Sequence, residues 1–311
     1  MSADAHPLLA WASDHWSFPL PPGHPFPLEK YRLVRERLLA DGVLAPEWIS
    51  ASDAAPREWL AAAHEAEYLD RTFGEGWTAA EVRRLGLPWS RELVQRASAA
   101  VFGTVMASRA ALEHGIAGNL AGGTHHAFFD RGEAYCLFND VAISIALLRR
   151  DGHAQYPFVL DLDVHQGNGT ATMFATDTSV FTFSLHARHN YPTQKQRSTL
   201  DVELDDAAGD DAVLAALDAH VPAALDAHAP DLVFYQAGVD ALHTDRLGRL
   251  RMTHQGLIER DRRVFAWLEE RRLPVVIMLG GGYGRPIETT VEAHCNVWRA
   301  ARAARLRRPQ G

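Results

Sequence analysis

Cysteine is scarce in this chain. Its 311 residues include two, Cys136 and Cys295, too few for a disulfide framework or a thiolate-built zinc knuckle. That usage suits a reducing compartment. Long apolar runs are missing as well. Hydrophobic content is 47%, yet no uninterrupted stretch approaches the roughly 20 residues that span a bilayer. The beginning of the chain, with Asp4, His6 and Asp14, lacks the basic start and apolar stretch of a secretory signal. The chain therefore reads as soluble and cytoplasmic. Nor is there an excess of positive charge. Lys and Arg number 31 against 39 Asp and Glu, for a formal net charge of −8, which gives no general reason to bind nucleic acid or anionic lipid. Basic residues gather only at the end of the chain, at Arg299, Arg302, Arg305, Arg307 and Arg308, where a solvated helix end favoured by the helix dipole accounts for them. Gly/Ser linkers, low-complexity blocks and internal repeats are absent, so residues 1–311 read as one domain. Residues 1–27, rich in Pro, Trp and His, read as irregular. No feature speaks to oligomeric state.

What is present is alternation. Short apolar runs at Ile116–Leu120, Phe158–Leu162, Val180–Leu185, Leu232–Gln236 and Val275–Leu279 read as strands covered on both faces, because they show little polar alternation. Between and around them, Arg91–His114, Asp140–Arg150, Asp211–Ala227, Gln255–Arg271 and Ile287–Leu306 carry helical patterns. Asn139 caps one of them, and Gly115 and Gly152 stop two. The pattern predicts an α/β fold, three-layer αβα, with a mostly parallel central sheet of about eight strands.

Chemistry collects where these strands end. FVLDLDVHQGNG at 158–169 carries Asp161, Asp163 and His165 at alternate positions, on one face if the strand continues. Two carboxylates and an imidazole suit a divalent cation with positions left open for water and substrate. Asp163 and His165 supply two ligands. Asp240, closing the run QAGVD at 236–240, is the natural third, although a helix cap or turn would explain it equally well. The doublet His125-His126 follows Gly122 and Gly123 and can set one imidazole on a substrate and the other beside it. Tyr283 follows Gly280, Gly281 and Gly282, so its hydroxyl could serve a pocket as an oxyanion donor, or the residue could pack a loop. In open α/β sheets, sites form outside the carboxyl ends of the strands.

Taken together, HPFPLEKY at 24–31, GGTHHAFFDRGEAYCLFND at 122–140, DLDVHQGNG at 161–169, AGVDALHTDRLGRL at 237–250 and GGGYGRP at 280–286 resemble the histone deacetylase family of the arginase/deacetylase fold, most closely its class IV branch. The resemblance runs from about His24 to Trp298. It implies that Asp163, His165 and Asp240 hold zinc, or ferrous iron in the cell. It further implies that His126 is the general base and later acid, that His125 is its electrostatic partner, and that Tyr283 donates to the oxyanion. Asp161 takes the place that orients His125. With Asp163, His165, Ser184 and Leu185 it also matches a structural potassium site. Asn168 stands where other classes carry aspartate beside the general base, and its neutral amide should leave that imidazole less basic. Tyr135 and Tyr191, with Ala134, Gly281 and Gly282, match the tunnel for an acyl-lysine.

Two positions depart from the family pattern. Ala134 replaces a common glycine, and Thr124 stands where class IV members carry a larger apolar residue. The implied activity is a metal-dependent amidohydrolase acting on acyl-lysine in protein or peptide, with acetyl or longer fatty acyl groups. A deacetylase of small acylated amines such as polyamines would share every catalytic residue. A two-metal ureohydrolase would need further Asp and His ligands, and a non-catalytic acyl-lysine binder would need neither base nor oxyanion donor.

Overall fold

The computed structural model describes residues 7–74 and 76–306; Asp4, His6, Arg307 and Arg308 lie outside them. Eight strands form one sheet: β1 (Leu9–Ala12), β2 (Ile49–Ala51), β3 (Ile116–Asn119), β4 (Pro157–Asp161), β5 (Phe181–Ala187), β6 (Leu200–Leu204), β7 (Leu232–Gln236) and β8 (Val275–Met278). Their order is β2-β1-β3-β8-β7-β4-β5-β6, and every pairing is parallel. The helices are α1 (Lys30–Ala40), α2 (Arg57–Leu60), α3 (Ala66–Phe73), α4 (Ala79–Leu85), α5 (Arg91–His114), α6 (Asp140–Arg150), α7 (Asn168–Met173), α8 (Asp210–His228), α9 (His254–Glu270) and α10 (Ile287–Leu306).

Period-2 geometry divides the central strands between two cores. Val233 and Tyr235 of β7 and Val275 and Ile277 of β8 pack with Val34, Leu217, Val264 and Trp298 from α1, α8, α9 and α10. Leu232, Phe234, Val276 and Met278 face the other way, against Ala107 and Ala110 of α5 and Val141 and Ile145 of α6. The result is the expected three layers. A third cluster, around Leu60, Leu69, Leu85 and Phe138, underlies α2 to α4.

Residues 9–12 correct one expectation. The sequence marks 1–27 as irregular because prolines crowd it, yet Leu9–Ala12 is a strand between β2 and β3. Its hydrogen bonds come from those neighbours, which local pattern cannot reveal. Strands β2 and β6, the two sheet edges, were also not anticipated; both are short and only partly buried. At the other end of the chain, Arg299 pairs with Asp41 and Glu292, and Arg302 stacks over Trp48.

One feature of the order positions the site. The four strands whose ends carry polar or glycine-rich segments, β3, β8, β7 and β4, are consecutive neighbours at the centre of the sheet. Being parallel, they deliver 122–126, 280–283, 236–240 and 161–165 to the same edge.

Candidate active site

Asp163, His165 and Asp240 converge. One ligand atom from each lies within 4.8 Å of the others, and all three residues are buried. His165 Nδ1 stands 3.0 Å from Asp163 Oδ1 and 3.1 Å from Asp240 Oδ2. Backbone N–H groups aim the carboxylates: Val164 donates to Asp240 Oδ1 at 2.8 Å, and Gly281 donates to Asp163 Oδ2 at 2.7 Å. Burial alone would lower the His165 pKa, but its bonds to Asp163 and Asp240 outweigh burial and push it up to about 10. Burial and the neighbouring Asp163 charge push Asp240 up to about 7. Two buried carboxylates crowding one imidazole thus call for a cation among them. The oxygen–oxygen–nitrogen donor set fits a divalent ion of the zinc or ferrous class. Asp240 lies in the turn after β7 and opens no helix, and its buried carboxylate faces the Val164 N–H and His165.

The histidine doublet lies alongside, the two rings 4.0 Å apart. His125 Nδ1 meets Asp161 Oδ2 at 2.6 Å, and His126 Nδ1 meets Asn168 Oδ1 at 2.6 Å. The Asn168 amide has a fixed orientation, because its Nδ2 donates to Glu133 Oε1 at 3.0 Å. Oδ1 can only accept, so His126 carries its proton on Nδ1 and a lone pair on Nε2. Burial, then the charges of His125 and His165, hold the His126 pKa well below its ordinary value. His125 behaves oppositely: burial opposes its charge, but Asp161 and Asp163 more than compensate and raise its pKa.

Tyr283 completes the floor. Its backbone N–H donates to Asp245 Oδ2 at 2.6 Å. Burial and then the Asp163 charge push its phenol well above the usual range, so the O–H remains a donor. The glycine turn before it is sterically required, since a Cβ on Gly281 would lie 1.9 Å from Asp240 Oδ2.

Asp163, His165, His125, His126 and Tyr283 line one cavity of about 570 Å3, together with Tyr135, Tyr191, Ala134 and Gly281, a size within the range of ligand sites. Tyr191 stands edge-on to His126, ring centroids 5.1 Å apart, and its hydroxyl bonds Glu133. Gly282 is not part of the lining; a Cβ there would meet Thr290, Val239 and His294 instead. Ala134 takes φ 44° and Tyr135 φ 67°. Such a left-handed backbone favours glycine, the residue that the family resemblance leads one to expect at 134. The residues expected to hold potassium also meet: Asp161 pairs in register with Ser184, Leu185 follows, and Ala187 N–H donates to Val164 O at 3.0 Å, which sets 163–165 beside the end of β5.

The histone deacetylase domain profile matches residues 24–300, nearly the whole of this framework. The chain belongs to the histone deacetylase family. An uncharacterized protein of Picosynechococcus sp. is 45% identical over 284 residues, 91% of this chain and 95% of that protein. Histone deacetylase 2 of Arabidopsis thaliana is 31% identical over 270 residues, 84% of this chain and 70% of that protein. The crystal structure of a histone deacetylase homologue complexed with SAHA superimposes with a TM-score of 0.81 at 22% identity, covering 96% of this chain and 84% of that one. Membership supports a deacetylase, a hydrolase of amide bonds.

Within this member of the family, sequence reasoning missed several residues around the site. Glu133 receives both Asn168 and Tyr191. Asp245 gathers the N–H groups of Tyr283, Leu247 and Gly248. Lys30, 1% exposed, donates to the Gly280 carbonyl at 2.9 Å. Burial lowers its pKa to about 8 despite Asp240 and Asp163. All three fall inside the motif segments, but only their partners, distant in sequence, give them tasks.

Proposed function

We propose that the protein hydrolyses Nε-acyl-lysine in proteins or peptides, releasing acetyl or longer acyl groups, as a cytoplasmic enzyme of the class IV type. Asp163, His165 and Asp240 would hold the divalent ion, zinc or in the cell ferrous iron. When bound, that ion supplies Lewis-acid polarisation of the amide carbonyl and acidification of water. His126 Nε2 takes a proton from the attacking water and returns it to the leaving lysine amine. His125, held by Asp161, contributes positive charge beside it. The Tyr283 hydroxyl donates to the oxyanion as the carbonyl becomes tetrahedral. Tyr135 and Tyr191 flank the lysine methylenes, whose burial stabilises the complex by about 0.8 kcal/mol each. Ala134 and Gly281 complete that wall. A structural potassium ion would sit among Asp161, Asp163, His165, Ser184 and Leu185.

The observation that carries this reading is the convergence of three ligand atoms within 4.8 Å next to two imidazoles, each fixed through its Nδ1. A turnover assay on acetyl- and myristoyl-lysine peptides tests it. We expect hydrolysis that a chelator abolishes and that zinc or ferrous iron restores. His165→Ala should lose bound metal together with activity. Turnover indifferent to chelation, or full metal occupancy in that variant, would overturn the reading.

A further inference from the structure

The proposed reaction leaves one wall of the cavity without a task. Arg96 of α5 lines it and is 6% exposed. Its Nε is sealed from solvent with no hydrogen-bond partner among the described residues. The acid whose charge reaches it, Asp14, is already clamped by Arg35 at 2.8 to 3.0 Å. What Arg96 does have is the face of Tyr31, whose ring centroid lies 4.6 Å from its Cζ. Stacking occupies the flat face of a guanidinium and leaves the in-plane edge of N–H donors free. The rest of the wall here is apolar, with Leu28, Leu93, Ala97 and Ala100. A buried cation in such surroundings is costly without a counter-ion.

Arg96 is also set back from the reacting groups. Its ring contact is Tyr31, whereas the cation over the Tyr283 ring is Lys30, with Nζ 5.4 Å from that ring centre and 5.2 Å from that of Tyr31. The group that accepts from a guanidinium edge with the best geometry is a carboxylate.

We propose that the chamber accepts acyl chains ending in a carboxylate, so that the substrates include Nε-(ω-carboxyacyl)-lysine, with Arg96 as the residue that selects the terminal charge. This rests on the acyl-lysine reading above. The chemistry remains plain hydrolysis: the oxygen of water bonds to the acyl carbon, the amide C–N bond breaks, the proton goes to the lysine amine, and a free dicarboxylic acid leaves.

The test uses the zinc-reconstituted full chain and peptides carrying ω-carboxyacyl-lysine from succinyl to sebacoyl, each beside its methyl ester. At the best length kcat/KM for the acid should exceed that for the ester about tenfold or more. The ratio should fall to about one in Arg96→Leu and be partly kept in Arg96→Lys. An ester hydrolysed as well as its acid by the unmodified protein overturns the proposal even if Arg96→Leu fails to fold, and so does a ratio that survives in Arg96→Leu. Inhibition by simple monocarboxylates that Arg96→Leu relieves, without acid–ester discrimination, would assign the guanidinium to the departing acid and also overturn it. If no acyl-lysine is hydrolysed at all, the activity falls, and the site is read by calorimetry on the metal-free protein. There, adipate should bind more tightly than its monomethyl ester, and equal affinity overturns the proposal.

Discussion

At the scale of single residues, the site gives two identical side chains opposite electrostatic surroundings. His125 and His126 are adjacent in sequence and both buried. His125 faces a carboxylate that pushes it toward the charged form, whereas His126, with only a neutral amide as partner, is held away from that form by burial and by the charges of His125 and His165. A base must be neutral to accept a proton, and this is what suits His126 to the task proposed for it. Tyr283 belongs to the same logic, because its phenol is kept protonated beside Asp163 and Asp240. Tyr283→Phe should therefore retain its metal, measured by elemental analysis, and lose about 10²–10³ in kcat. Undiminished turnover would remove the hydroxyl from the mechanism.

At the scale of elements, short contacts tie the helices to the site. Asn139 caps α6, its side chain accepting from Ala142 N–H. Its own backbone N–H donates to His64 Nε2 at 2.9 Å, and His64 Nδ1 faces the Phe129 carbonyl at 3.3 Å. Both bonds require a neutral imidazole with the proton on Nδ1. Burial lowers the His64 pKa to about 4 from 6.5. In the unfolded chain the ring protonates near 6.5, so below that pH the unfolded state binds the extra proton. Stability linked to His64 is thus fully present above pH 6.5 and is lost as pH falls toward 4. By pH 5 the loss should reach about 2 kcal/mol. Urea unfolding at pH 7 and pH 5 measures it, and His64→Gln should remove that part of the difference. An equal pH dependence in the variant would contradict the assignment.

At the scale of the whole molecule, the candidate metal ligands join separate parts of the chain. Asp163 and His165 follow β4, whereas Asp240 follows β7, about 75 residues later. An ion bound by all three exists only in the folded state, so occupancy adds to stability by mass action. Zinc at 100 times its dissociation constant contributes about 2.7 kcal/mol, on the order of 5 °C in Tm for a chain of this size. Thermal unfolding with zinc, and after chelation, should differ by that order. The shift should vanish in Asp240→Asn, and a Tm unmoved by zinc in the parent protein would argue against a shared ion.

The sequence by itself determined the layer architecture and the chemistry available. Runs such as Leu232–Gln236 and patterns such as Arg91–His114 become elements with the same bounds, because burial on two faces and helical periodicity are written locally. The segments bearing Asp163, His165, Asp240, the histidine doublet and Tyr283 were legible for the same reason: ionisable groups beside buried strand ends are rare and costly. Tertiary structure decided what lies next to what. The sheet order makes neighbours of β3, β8, β7 and β4, and that order depends on crossovers that no local pattern encodes. The same holds for Leu9–Ala12, a strand only because β2 and β3 flank it. It holds too for Lys30, Arg96, Glu133 and Asp245, whose burial and partners arise only when distant segments pack. Backbone propensity acts within a few residues, whereas a charge acquires its role from whatever the fold brings within a few ångströms of it.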